Sequence, residues 1–423
     1  MRVARLVLLT LVVVMLVAPG ATTAWAQPAP SPEAAFAHVQ HLAGVIGPRV
    51  AGTPADRAAQ EYLAGQLRQY GYAVELHTFQ FPFFETRRVE VVQVGPPPRA
   101  LEAAALFYSA ATPAAGLEAD VVPVGLGRPA DFEGRRVAGA IALIERGDIT
   151  FREKVANAAA AGAVAAVVYN NGPGVISGTL GARSEIPAAA IAQDDGRRLT
   201  EAAQAGRVRL RLLVDTVFET RTSANVVGTK RGTTRPEEIV VVGGHFDSVP
   251  NAPGANDNAS GTAAALEAAR VLAGVPLART VQVVLFAAEE LGLHGSAAFA
   301  AERRAGVVAM INLDMVGWGE RLMIGASPGR DESVVNVAEQ IAQRLGIPVT
   351  RFRASASDHA SFERHGIPVV FLHRGVDPFY HRPGDVPANV TPRHLAEAAR
   401  LVVGIVQELA AARAGLVPVR PGG

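Results

Sequence analysis

Cysteine is absent from the 423 residues, and lysine nearly so: Lys154 and Lys230 are the only two. Without cysteine the chain can form no disulfide, offer no thiolate to a metal and carry no acylated lipoprotein anchor. An excess of one charge is also missing. The 40 basic and 39 acidic side chains leave a formal charge of +1, with no long run of either sign. That removes the uniform field which recruits nucleic acid or anionic lipid. Beyond the first 26 positions no apolar stretch approaches the roughly 20 residues a bilayer span requires. What remains is 49% hydrophobic and 19% charged, an ordinary globular composition long enough for two or three domains.

Residues 1–26 have the three parts of a secretory signal. Arg2 and Arg5 give a positive start, Leu6–Val17 an apolar core, and Ala24-Trp25-Ala26 a small-x-small cleavage site. The core falls short of a membrane span, so a secreted or periplasmic protein without stable membrane insertion is expected. Outside the cytoplasm and without disulfides, packing and metal ions must hold the fold.

The chemistry gathers between Glu238 and Gly317. EIVVVGGHFDSVPNAPGANDNASG, VQVVLFAAEELGLHGS and MINLDMVG share one layout, a short β-branched apolar run followed by acidic or imidazole side chains. His245 and Asp247 follow Ile239–Val242, Glu289 and Glu290 follow Val281–Phe286, and Asp314 follows Val308–Leu313. Such runs read as buried parallel strands, and open α/β sheets bind ligands beyond the carboxyl ends of their strands. A fourth run, Ile367–Leu372, leads into a loop carrying Tyr380 and His381. The expected fold class is α/β, with a mostly parallel central sheet and helices on both faces.

The rim so assembled pools His245 and His381 with Asp257, Glu289, Glu290 and Asp314. Imidazole with carboxylate suits a divalent cation, zinc being the commonest. This many carboxylates in one cleft repel unless cations neutralise them. One ion with an open position needs three protein ligands, and the set suffices for two. If Asp257 bridges, each ion receives one histidine, one further carboxylate and a share of the bridge. That is the two-metal hydrolase arrangement, with ions roughly 3.5–4 Å apart and a shared water. Adjacent Glu289 and Glu290 cannot point the same way from an extended chain. One division makes Glu290 a ligand and leaves Glu289 free as general base.

On these residues the chain resembles the co-catalytic zinc aminopeptidases, a family including secreted bacterial leucyl aminopeptidases, aminopeptidase Y and the related glutamate carboxypeptidase II. The matching pieces, in family order, are GGHFDSV, GANDNASG, AAEELGLHGS, INLDMVG, SDHASF with GIPVVFL, and YHRPGD. The resemblance implies a secreted metallo-exopeptidase with two Zn2+ per chain. His245, Asp257 and Asp314 would hold one ion, and Glu290, His381 and bridging Asp257 the other. It implies Glu289 as general base and later proton donor, and Asp247 as the carboxylate that fixes the His245 ring. Tyr380 matches a position where some members donate a hydrogen bond to the developing oxyanion. Peptide or protein N-termini would be the substrates, with no nucleic-acid partner. Alternatives are a glutamate-carboxypeptidase-like exopeptidase, a one-zinc glutaminyl-cyclase-like enzyme, and a catalytically inactive binding homologue. Ala356 departs from the pattern, standing where some members carry an arginine near the substrate.

Between about Leu106 and Val217 the texture changes. The strand Ala138–Ile144, the turn and helix in RGDITFREKVANAAAAGA, the strand Val164–Tyr169 and the strand–helix EIPAAAIAQDDGRRL resemble the protease-associated domain inserted in several members of that family. The expected division is a signal over 1–26, a discontinuous peptidase domain over 33–105 and 218–412, and the inserted domain over 106–217. The insert reads as a lid over the active-site mouth or as a packing module, with Gly172–Gly181 a loop that could overhang the site. Upstream, Thr53 caps a helix with Pro54 first and Asp56 in its first turn, and Gly71 ends it. That segment, and a strand through Val74–Phe79, read as structural. His38, His41, His77, His294, His365, His373 and His394 also take structural readings, while Asp358 and His359 fall near the rim by resemblance.

Overall fold

The computed structural model describes residues 28–411, position 96 excepted. The expected signal over 1–26 and the tail from position 412 lie outside the described residues. Four strands form the centre of the sheet, in the order Arg279–Phe286, Arg235–His245, Val307–Leu313 and Val369–His373, all parallel. Every residue of Val307–Leu313 is buried, as are the last six of Arg235–His245. Covered on both faces, these runs need no alternation of polar and apolar residues to persist as strands. Glycine lets the strand ends draw together. A Cβ on Gly243 would sit 1.8 Å from the carbonyl oxygen of Val284, and one on Gly244 2.1 Å from that of Leu313, closer than any side chain can come.

Helices flank the sheet. Gly261–Leu272, Pro392–Leu409 and Pro32–Val39 pack on one another, while His294–Arg303 packs with His359–Glu363. Phe286, Phe299 and Phe362, all buried, pack with ring centroids 5.9–6.2 Å apart. They lock the central sheet to the second helix group through aromatic contacts. Thr53 caps the helix Pro54–Gln69 by accepting the N–H of Asp56 at 3.3 Å, and Gly71 leaves it at φ +88°.

The α/β class anticipated from the sequence is the one the chain adopts. Three strands of the central sheet and its ribbon lie outside the runs singled out in the sequence. Leu322–Ala326 pairs antiparallel with Val369–His373, and Val349–Arg353 lies beyond it at the sheet's edge with no buried residue. Arg209–Lys230 is the third. It pairs antiparallel with Ala73–Val94, which continues well past the expected Val74–Phe79. These two 22-residue strands make a ribbon. One end of the ribbon joins Arg279–Phe286 in the central sheet, and the other joins Leu117–Pro123 in the insert. Ile141–Glu145, Ala165–Tyr169 and Ala188–Ile191 continue the insert in parallel. The first of these starts later than Ala138 because Gly139, at φ +75°, belongs to the preceding turn.

Candidate metal centre

Each polar rim residue follows or ends a central strand, so the parallel sheet carries four separate chain segments to one place. His245 is the last residue of its strand, and its Nε2 lies 3.3 Å from Asp257 Oδ1, 3.5 Å from Asp314 Oδ1 and 3.9 Å from Glu289 Oε2. His381 Nε2 lies 3.1 Å from Asp257 Oδ2 and 3.0 Å from Glu290 Oε2. The two oxygens of Asp257 therefore face different imidazoles. Among the described residues, two trios have donor atoms all within 4.8 Å of one another: His245, Asp257, Glu290 and His245, Glu289, Asp314. With His381 against Asp257 and Glu290, all six residues converge. Glu290 Oε1 and Asp314 Oδ1 are buried with no hydrogen-bond partner, a costly condition that a cation relieves. A set of imidazole nitrogens and carboxylate oxygens fits zinc.

Asp247 is fully buried and does more than steady one ring. Its Oδ1 accepts the N–H of Glu289 at 3.2 Å and its Oδ2 the N–H of Glu290 at 3.4 Å. The same Oδ1 lies 3.5 Å from Nδ1 of His245. One carboxylate thus ties two strand ends together. Glu289 and Glu290 do not sit on extended chain as expected. They lie in a turn opened by Ala288 at φ +58°, and that turn sends one toward His245 and the other toward His381. Met315 and His381 also hold positive φ, at 54° and 57°. Each such residue costs about 1–3 kcal/mol, which the surrounding structure must offset. The ring of Tyr380 stacks on His381 at 3.8 Å.

Burial and mutual repulsion set the electrostatics. Burial, then the nearby Asp358, Asp314 and Glu290 charges, push Glu289 well above the usual carboxylate range against the pull of His245. Burial and the Asp257 charge raise Glu290 to about 7. Burial opposes protonation of both histidines, but the carboxylates prevail, and His381 rises to about 10. Asp257 moves the other way: hydrogen bonds to both imidazoles overcome its burial and hold it low. In a basin where acids retain protons and bases gain them, positive charge is in demand.

Asp358 is buried within electrostatic reach of Glu289, whereas His359 donates to the Ala354 carbonyl at 2.8 Å and stacks on Phe371, a packing role. His373 hydrogen-bonds the Asp314 carbonyl through Nδ1 at 2.8 Å. His38 lies between the hydroxyls of Tyr62 and Tyr70, and His77 pairs with Glu302. Beside Asp314 opens a cavity of about 410 Å³, walled by Met315, Met323, Phe352, Ala356, Phe371 and Val376 and bordered by Glu289 and Tyr380. Ala356, the departure noted in the sequence, keeps that wall apolar.

Comparison with known proteins matches residues 225–406 to the model of Peptidase family M28 and residues 104–199 to that of the PA domain. Aminopeptidase YwaD of Bacillus subtilis (strain 168) is 34% identical over 395 residues, covering 88% of this chain and 84% of the relative. Leucine aminopeptidase 2 of Trichophyton rubrum is 30% identical over 76% of this chain and 72% of its own length. Among solved structures, the aminopeptidase from Aneurinibacillus sp. strain AM-1 superposes with a TM-score of 0.82 at 34% identity, covering 93% of this chain and 97% of that one. BSAP, a zinc aminopeptidase from Bacillus subtilis, gives 0.75 at 32% identity, covering 92% and 96%.

Two residues that sequence reasoning passed over support the site from below. Asp385, the closing acid of YHRPGD, accepts the N–H groups of Asn256 and Asp257 at 2.7 and 3.0 Å. Arg49 is fully buried under the loop between His245 and Asp257. Its guanidinium donates to the carbonyls of Phe246, Pro253 and Gly254 on that loop, and to Leu42 and Gly47. No carboxylate forms one of these contacts, so its charge stays available to Asp247, Asp385, Asp257 and Glu290. The readable signal was a lone arginine inside the apolar, glycine-flanked GPRVAG. Arg49→Met should lower stability by at least about 3 kcal/mol, given hydrogen bonds to a charged donor worth about 1.5–3 kcal/mol each. It should also lose metal faster on dialysis against a weak chelator, with Arg49→Lys intermediate. Equal metal retention by all three proteins would show that the loop holds itself.

Proposed function

The chain belongs to peptidase family M28, a metallopeptidase of the aminopeptidase type, and on that premise we propose how its residues release N-terminal amino acids from peptides. Two zinc ions per chain are proposed. His245, Asp257 and Asp314 would hold one, and Glu290, His381 and the second oxygen of Asp257 the other. The observation that carries this reading is Asp257, whose two oxygens lie 3.3 and 3.1 Å from different imidazoles. Of the carboxylates around His245 Nε2, Glu289 is the most distant at 3.9 Å, which favours it as the residue left free to move protons.

When bound, the metal pair supplies Lewis acidity, polarising the scissile carbonyl and acidifying water. Glu289 takes a proton from the attacking water at a carboxylate oxygen and returns it to the departing amine. Its burial suits that task, because a carboxylate drawn out of water holds a proton more readily. Tyr380, at the edge of the same cavity, donates its hydroxyl hydrogen bond to the developing oxyanion. Asp247 keeps His245, Glu289 and Glu290 in register throughout, so these groups need little reorganisation as the reaction proceeds.

The apolar cavity beside Asp314 would take the side chain of the first residue, with the substrate's free amine toward the His245–Asp314 side. Met323, Phe352, Phe371 and Val376 favour a large apolar side chain there. The glutamate-carboxypeptidase-like alternative would instead need a cationic clamp on an acidic terminal residue. We further propose export directed by residues 1–26.

Glu289→Gln should retain its zinc, about two ions per chain by elemental analysis, while kcat falls about 10²–10⁴-fold. A variant of undiminished activity would sink the assignment. Leucyl peptides with a free amine should be cleaved while their N-acetyl forms and N-acetylated acidic dipeptides resist. Chelation should abolish turnover and zinc should restore it. Release of acidic residues from blocked dipeptides would instead support the alternative. N-terminal sequencing of exported protein should begin at Gln27, and a chain retaining Met1 outside the cell would overturn the proposed signal.

A further inference from the structure

On the other side of Glu290 lies a second cavity, of about 470 Å³. Its walls come from three regions of the chain. Val249 and Pro250 follow Asp247, Phe84 and Arg87 belong to the ribbon, and Phe107 and Ser177 come from the insert. Glu290 borders this cavity and the apolar one beside Asp314 alike. The two cavities therefore lie on either side of Glu290, beside the candidate metal centre. The volume falls within the range of small-ligand sites.

The insert's part of the wall is held in place. Phe107 donates its N–H to the Gly178 carbonyl at 2.8 Å, and its own carbonyl accepts from Leu180 at 3.0 Å. The segment around Ser177, expected to overhang the site, is thus fastened to the backbone of Phe107. Phe107 is 46% exposed, and its ring lies 5.6 Å from that of Phe84. Exposed aromatic surface inside a concavity gains free energy when an apolar group covers it. The ribbon's charged residues on this wall, Glu85 with Arg87 at 3.7 Å and Arg88 with Glu90, pair at a solvent-exposed edge where ion pairs contribute little. The apolar wall sets the preference.

We propose that this cavity is the subsite for the residue immediately after the scissile bond, that it takes a large apolar or aromatic side chain, and that the insert supplies part of its wall. This rests on the aminopeptidase reading above. With the first residue beside Asp314, the chain beyond the scissile bond would continue on the Glu290 side, where this cavity lies.

The test uses the full, zinc-loaded chain and three substrates: leucinamide, Leu-Gly-amide and Leu-Phe-amide. Leucinamide releases only ammonia and places nothing in the cavity. Native enzyme should favour Leu-Phe-amide over Leu-Gly-amide about tenfold or more in kcat/KM, the scale of discrimination an apolar pocket provides. Phe107→Ala should bring that ratio toward one. Ser177→Trp, narrowing the cavity from the loop, should also lower it. Equal rates on the two peptides in native enzyme, a ratio that neither variant moves, or a uniform fall on all three substrates would each overturn the proposal. If leucinamide and both peptides are untouched by the native chain, the aminopeptidase reading falls first, so the two failures are told apart.

Discussion

Carboxylates crowded into a buried space repel one another, and the architecture around the strand rim can be understood as an answer to that repulsion. Asp257, Glu289, Glu290 and Asp314 lie at or near touching distance of two imidazoles. Such a cluster is stable only with positive charge among its members. Structural parts meet some of the need. Arg49 lies beneath as a permanent cation, Asp247 and Asp385 spend their oxygens on backbone N–H groups, and both histidines are driven toward protonation. The remainder is what bound divalent cations would provide. Folding and metal retention should therefore be coupled, since a site with unneutralised acids opposes its own assembly.

The sheet makes this crowding geometrically achievable. Parallel strands end on one side, so residues distant in the chain need only follow their strands to meet. Gly243 and Gly244 bring neighbouring strands closer than a Cβ would allow. Ala288, Met315 and His381 accept left-handed backbone to turn side chains inward from those ends. The strain sits beside the reactive groups, and the fully buried apolar runs behind them offset it.

The insert enters through the ribbon of Ala73–Val94 and Arg209–Lys230 rather than through a flexible tether. Continuous backbone pairing transmits position, so the insert's Phe107 and Ser177 can wall a cavity that begins at Glu290. A cavity on each side of the candidate metal centre would suit a peptide read on both sides of the bond it loses.

Much of this was legible in the residues themselves. Val-, Ile- and Leu-rich runs declare buried strands, the polar residues behind each run declare a rim, and histidine with carboxylate in a chain without cysteine declares the kind of ion. Those inferences are local, depending only on neighbours within a few positions. The edge strand Val349–Arg353 was hidden because its pairing depends on Leu322–Ala326 beside it and not on any apolar run of its own. The bracing by Arg49 was hidden because its five carbonyl partners lie on two separate segments. Sequence alone determined which donor atoms exist and that strands would carry them to one side. Tertiary structure alone decided which oxygen faces which imidazole, how Glu289 and Glu290 diverge and where the flanking cavities lie, because those are distances between remote parts of the chain, and only closure of the fold sets them.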